Sequence, residues 1–229
     1  MMTENGQKNK VSWRSRFAPI EERPFESLVF AVTRNIEQYP DLIKHAKWNH
    51  MNWKGLTLMK DPMTLSAYML LLQNLKPKSI IEFGTYEGGS ALWMSDLMSS
   101  LNIECNIHTF DIDQARVHIP ENHPNIHCQY LDNFNIQEFV QDQSSLFSNL
   151  EGPVLVIEDS HANSSGILAA IDPFLNKGDY LVVEDTLDQS KHQSMTSFLS
   201  QSKYLVDTLY CDLWGKNNGW NVNSFLKKC

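Results

Sequence analysis

Two unbroken apolar runs, each closed by acidic residues, constrain this chain most. Val154-Leu155-Val156-Ile157 runs into Glu158-Asp159, and Leu181-Val182-Val183 runs into Glu184-Asp185. A strand with one face in water alternates apolar and polar side chains, whereas one that is apolar throughout is buried on both faces of a helix-covered parallel sheet. Parallel neighbours need a crossover between them, and Ser164 to Leu175, between the two runs, reads as helix. The alternation continues in both directions. Helix is expected over Met63 to Leu75, ending before Lys76-Pro77 because proline disfavours helix in the residue preceding it. Next come a strand over Ser79 to Phe83, a helix from Gly89 to Leu101, and strands over Asn106 to Asp111 and Asn125 to Tyr130. Helices over Ile136 to Leu146 and Ser194 to Ser200 complete the pattern. Two alternating runs, Tyr204 to Tyr210 and Trp220 to Leu226, are joined through Lys216-Asn217-Asn218-Gly219, whose Asn-Gly pair signals a hairpin. The expected fold is α/β: a doubly wound, mostly parallel, Rossmann-like sheet ending in an antiparallel hairpin.

At 229 residues the chain suits one well-buried core with trimmings. Residues 1–20 are polar and aperiodic and read as a flexible leader; residues 21–62 read as an N-terminal helical or lid segment; residues 63–229 hold the main domain. Phe25 to His45 is loosely helical, and Trp48 and Trp53 in the irregular stretch after it suit either core plugs or a lid over a ligand. The net charge of -8 argues against a nucleic-acid surface, which needs a basic patch. The N-terminal residues lack the apolar core of a signal peptide, and no apolar stretch is long enough for a membrane span. Cys105, Cys128, Cys211 and Cys229 show no metal-ligand spacing and are expected to be reduced and structural. These features together point to a cytoplasmic protein, with homo-oligomerisation left open.

Three places carry residues suited to chemistry. The first is Glu82-Phe83-Gly84-Thr85-Tyr86-Glu87-Gly88-Gly89-Ser90, between the first sheet strand and its helix. Residues without a Cβ let the backbone approach a ligand, and a helix N-terminus offers free N–H groups. The pattern is neither GxxxxGK[ST] nor GxGxxG. Its ExGxxxGG form resembles the first S-adenosylmethionine motif, making Glu82, Gly84, Tyr86, Gly88 and Ser90 cofactor-binding candidates; the alternative is tight strand–turn–helix packing. The second place is the end of the next strand, where Asp111, with Asp113 as fallback, can accept hydrogen bonds from both ribose hydroxyls. The third is the pair of acidic strand ends. Asp159, Glu184 and Asp185 are expected to meet a hard cation, Mg²⁺ or Mn²⁺, that polarises a bound hydroxyl; isolated acids there would instead be caps or solvated turns. His161, two residues after Asp159, is the candidate general base.

The stretch LTLMKDPMTLSAYMLLLQNLKPKSIIEFGTYEGGSALW, then VLVIEDSH, then KGDYLVVEDT, resembles the cephalosporin hydroxylase family. The likeness runs from about Trp48 to the C-terminus. Members of that family look like metal-dependent O-methyltransferases, rhamnosyl O-methyltransferases among them. The resemblance implies the class I methyltransferase fold, of which a terminal antiparallel hairpin is a mark. It also implies S-adenosylmethionine at Glu82 to Ser90 and Asp111, and metal carboxylates at Asp159, Glu184 and Asp185, so that Asp159 and His161 form the catalytic pair. One departure is the DSHAN segment, where family members place one more residue between aspartate and histidine; Asn163 or a water is the alternative base. The implied reaction is methyl transfer to a hydroxyl of a small natural-product, sugar or lipid-like acceptor. The alternatives are methylation of nitrogen, a non-methylating reaction in the same pocket, or a silent S-adenosylmethionine-binding protein. An iron hydroxylase is disfavoured, because no His-x-Asp facial triad lies on one sheet edge.

Overall fold

The computed structural model describes residues 16–27, 51–217 and 219–229. Its strands are β1 (Phe17–Ala18), β2 (Asn52–Trp53), β3 (Leu56–Thr57), β4 (Ser79–Phe83), β5 (Asn106–Asp111), β6 (Ile126–Tyr130), β7 (Val154–Glu158), β8 (Tyr180–Val183), β9 (Tyr204–Asp207) and β10 (Phe225–Lys228). The helices are α1 (Pro62–Leu75), α2 (Gly89–Ser100), α3 (Ile136–Asp142), α4 (Ser144–Ser148), α5 (Ser164–Ile171), α6 (Gln189–Leu199) and α7 (Thr208–Cys211).

Eight strands form one sheet in the order β1-β9-β10-β8-β7-β4-β5-β6. From β8 to β6 every pairing is parallel, with Phe83 level with both Phe110 and Glu158, and Glu158 level with Val183. Every residue of β4, β7 and β8 is buried, the apolar runs of β7 and β8 as expected and β4 with Ser79 and Glu82 buried among its apolar residues. The chain starts the parallel sheet at β4, winds out to β6, then returns to β4's other side for β7. That reversal opens a crevice beyond the carboxyl ends of β4 and β7, the usual place for a ligand in such sheets. Helix α1 begins cleanly at this end: Asp61 accepts from the Met63 and Thr64 N–H groups, and Pro62 fills a position that needs no donor.

Four boundaries differ from the sequence reading. Residues 16–20 lie partly in an edge strand, not wholly in a leader: Phe17–Ala18 pairs with β9, and Arg16 forms hydrogen bonds with the fully buried Asp207. The expected helix over Ile136 to Leu146 is two short helices. Helix α6 starts at Gln189 rather than Ser194, because Asp188 caps the Ser190 and Lys191 N–H groups. The terminal antiparallel pair forms, with Leu226 opposite Val206, but the Asn-Gly segment is not a tight hairpin. Asp207 ends β9 by accepting from Leu209 N–H, which starts α7, and the return strand begins only at Phe225. Phe25 to Ser27 is not helical, and the rest of the Phe25 to His45 stretch, with Trp48, lies outside the described residues. All four cysteines are free, and no described helix is long and apolar enough to cross a membrane.

Candidate active site

The glycine loop leaves β4 at Gly84 and enters α2 at Gly89. Gly84 has φ +105°, and a Cβ there would sit 2.5 Å from the Asp159 carbonyl oxygen. This glycine therefore lets the loop after β4 press against the end of β7, where the Asp159 N–H donates to the Phe83 carbonyl at 2.8 Å. Gly88, also left-handed, caps α2 beside Ile119. Glu82 is fully buried and faces inward: it accepts from Ser90 Oγ at 2.5 Å and Thr109 Oγ1 at 2.8 Å. Burial raises its carboxyl above the usual range, against the pull of Lys60 and the two hydroxyls. Glu82 and Ser90 thus tie the loop to β5 and to α2, with their polar atoms spent on each other.

Asp111 is the acid best placed at the strand end. Its Oδ2 accepts from the Tyr86 N–H at 2.8 Å and its Oδ1 from the Asp113 N–H at 2.9 Å. The carboxylate is thereby fixed against the glycine loop with lone pairs remaining for a diol. Asp113 is exposed and pairs with Arg116 at 3.5 Å, so it is the weaker candidate.

At the ends of β7 and β8 the structure brings together two of the three expected carboxylates. Lys60 Nζ lies 3.1 Å from Asp159 Oδ2 and 3.0 Å from Glu184 Oε1, its side chain only 2% exposed. Glu184 accepts further hydrogen bonds from the Tyr68 hydroxyl and from Asn221 Nδ2, the latter at 2.8 Å. Asp185 stands beside this pair at φ +56°, its N–H donating to Asn221 Oδ1 at 2.9 Å. Among the described residues no three acids, histidines or cysteines converge as a ready cation site. The expected three-carboxylate cluster is therefore a two-carboxylate pair bridged by an ammonium, with Asp185 alongside.

Charge is shared unevenly here. Burial opposes the charge on Lys60, but Asp159 and Glu184 outweigh it and hold the ammonium above its usual range. Burial likewise opposes the charge on Glu184, yet Lys60, Tyr68 and Asn221 all donate to it and keep its carboxyl below the usual range. Among the described residues Asp159 has the one donor, Lys60; burial and the neighbouring Glu184 and Asp185 push it up to about 8. The two acids titrate as a pair, and the proton the pair gains belongs on Asp159.

His161 is exposed, with Nε2 4.0 Å from Asp185 Oδ2. It borders two cavities that meet at Asp185. One, about 560 Å³, is walled by Met59, Leu187 and Trp220 and has Lys60, Glu184 and Asp185 at its end. The other, about 410 Å³, is polar and lined by serines, Asn163 and Lys191. Asn163 gives its amide N–H to the Asn133 carbonyl at 2.7 Å, and an amide takes up no proton in the working range. Trp53 packs on the core and donates from Nε1 to Asp96 at 2.6 Å, bordering neither cavity.

The sequence profile of the family described as rhamnosyl O-methyltransferase/CmcI matches residues 45–203. The chain belongs to this family. Among curated proteins it is 29% identical over 143 residues to the rhamnosyl O-methyltransferase of Mycobacterium leprae, a match covering 61% of this chain and 62% of that protein. The Mycobacterium tuberculosis rhamnosyl O-methyltransferase is 27% identical over 143 residues, covering 61% of this chain and 58% of that one. The matched region thus spans about three fifths of these relatives' length. Among solved structures, CmcI in an apo form is 27% identical with a TM-score of 0.66, covering 80% of this chain and 78% of that one. A CmcI structure with Mg and S-adenosylmethionine scores the same. The fold is the class I methyltransferase fold. In this rhamnosyl O-methyltransferase/CmcI family member, the glycine loop, Asp111, Lys60 and the strand-end acids all fall inside the matched span, whereas Asn221 and Trp220 lie beyond it.

Sequence reasoning missed Lys60, Tyr68, Asn221 and the cavity wall of Met59 and Trp220. Lys60 did carry a signal: it is a charge at the end of the apolar run Leu56-Thr57-Leu58-Met59, directly before a helix cap. Tyr68 has none, because a tyrosine on the buried face of an amphipathic helix reads as core.

Proposed function

We propose that this chain transfers the methyl group of S-adenosylmethionine to a hydroxyl oxygen of a small natural-product or sugar-like acceptor, assisted by a divalent cation. The observation that carries this reading is the contact between two sites: the glycine loop at Gly84 abuts Asp159, so donor and acceptor ends share one crevice. The backbone around Gly84 and the α2 N-terminus would take the methionine part, and Asp111 the ribose hydroxyls. The acceptor cavity is apolar along Met59, Leu187 and Trp220 and acidic at its end, which suits a molecule with an apolar face beside a hydroxyl.

The donor set fits a hard cation. Asp159 and Glu184 offer carboxylate oxygens on adjacent strand ends, a cation already stands between them as the Lys60 ammonium, and Asp185 adds a third acid alongside. Asp159 and Glu184, with Asp185, would hold Mg²⁺, whose chemistry is to polarise and acidify a hydroxyl. Asn221 fixes Glu184 and the turn at Asp185. His161, beside Asp185 at the mouth of both cavities, takes the acceptor's proton.

The relatives named as rhamnosyl O-methyltransferases support a sugar hydroxyl as acceptor, and the CmcI complex with Mg and S-adenosylmethionine supports the cofactor pair. The test is transfer of label from methyl-labelled S-adenosylmethionine to a panel of rhamnosides and other hydroxylated glycosides, with and without chelator. Labelled product that disappears in chelator and returns with Mg²⁺ is expected. Product that is undiminished in chelator would remove the cation from the reaction.

A further inference from the structure

Lys60 is not part of the sheet that carries the acids it bridges. It sits on the short link between β3 and the Asp61 cap of α1, and reaches across the crevice mouth to two strand ends. We infer that the Lys60 ammonium occupies the seat between Asp159 and Glu184 that a divalent cation takes, so that cation binding displaces this lysine. The inference rests on the cation site of the proposed function and adds an internal competitor to it.

Two observations carry it. The ammonium contacts one oxygen from each of two different carboxylates at 3.1 and 3.0 Å, which is the bridging position between them. A cation bound to the same oxygens would lie within a few ångströms of Nζ, where two positive charges repel and compete for the same lone pairs. The side chain also has somewhere to go. Lys60 lines the cavity of about 560 Å³ together with Glu184 and Asp185, so the cavity is both the cation's entry path and the space for a displaced four-carbon stem.

Without metal, the lysine keeps the buried Glu184 and the part-buried Asp159 from facing each other bare, and its position 5.3 Å from the Tyr68 ring centroid helps retain it. With metal, those contacts must be given up. Lys60 therefore lowers the affinity of the site and makes its occupancy depend on a segment that also touches the glycine loop. That segment is tied to the loop by the Thr57 N–H, which donates to Glu87 Oε2 at 2.8 Å, and by the Thr57 carbonyl packed on Gly89.

The experiment has two arms. In the first, the full chain is treated with an amine-acylating reagent in chelator or in MnCl₂, and lysine modification is read by mass spectrometry. Lys60 should be protected in chelator and become several-fold more reactive with Mn²⁺. In the second, MnCl₂ is titrated calorimetrically into wild type and Lys60→Met; the variant should bind at least tenfold more tightly. Bound Mn²⁺ with Lys60 still protected, or equal or weaker binding by the variant, overturns the displacement and leaves the cation site standing. No Mn²⁺ binding by either protein removes the cation site itself, and the inference with it. Should Lys60→Met fail to fold, the acylation arm on the wild-type chain still decides.

Discussion

Asp159 and Glu184 differ in the number of donors each receives, and that difference sets how the site answers to pH. Glu184 takes hydrogen bonds from Lys60, Tyr68 and Asn221, whereas Asp159 takes one, from Lys60. The Asp159 carboxyl, raised to about 8 in the folded chain, binds its proton more tightly than an unfolded aspartate with a pKa of about 3.9. The stability this group contributes is full below about pH 4 and is lost as pH rises through about 8. In chelator, thermal stability should therefore fall between about pH 5 and 8.5, and Asp159→Asn should flatten that fall. An identical decline in the variant would show that another group is responsible. Asp111 offers a second residue-scale test. Its carboxylate is held by two backbone N–H groups at the crevice, while Asp113 points to solvent and Arg116. Asp111→Ala should weaken S-adenosylhomocysteine binding by about 1.5–3 kcal/mol for each hydrogen bond lost, and Asp113→Ala should leave it unchanged. Calorimetry showing the reverse would exchange their roles.

At the scale of elements, what was legible and what was not follow from how local each signal is. The strands β4, β5, β7 and β8 and the start of α2 lie where the sequence places them, because an apolar-rich run bounded by turn residues, or a glycine turn, is written in consecutive residues. The loop from Asp212 to Asn223 was not legible, since its shape depends on a partner some 190 residues away in sequence. Arg23 donates to both Asp212 oxygens at 2.7 Å, to Asn223 Oδ1 at 2.8 Å and to Asn217 Oδ1 at 3.1 Å. With these partners held, the same loop presents Asn221 to Glu184 and the Trp220 carbonyl to the Leu187 N–H at 2.8 Å. Arg23→Ala removes the charge partner of the part-buried Asp212, leaving it the Asn217 N–H, and should cost about 3 kcal/mol of stability in urea unfolding. A loss under about 0.5 kcal/mol would mean that the loop holds its shape without the arginine. Trp53 bears on the lid idea: it packs on the core and bonds to Asp96, so Trp53→Phe should lower the melting temperature without changing the affinity for S-adenosylhomocysteine. Weakened binding with unchanged melting would restore a ligand-facing role.

For the whole molecule, winding order places the chemistry. Because β7 returns beside β4 rather than beyond β6, the loop that carries Gly84 and the strand end that carries Asp159 become neighbours although 75 positions separate them. The sequence shows each half of that site; the reversal that joins them, and the lysine from outside the sheet that bridges the acids, exist only in three dimensions. The family match covers the sheet strands from β4 to β8, and the acceptor wall at Trp220 lies outside it, so the donor half of the crevice is the firmer ground on which to test the reading. The most direct measurement is a calorimetric titration of the purified chain with S-adenosylhomocysteine in the presence of chelator. Saturable binding of one molecule per chain is expected, displaced by S-adenosylmethionine and equally tight in Asp159→Asn, since the donor contacts lie on other loops. A chain that gives no heat with S-adenosylhomocysteine, and none with S-adenosylmethionine whether or not Mg²⁺ is added, would contradict the methyltransferase reading at its root.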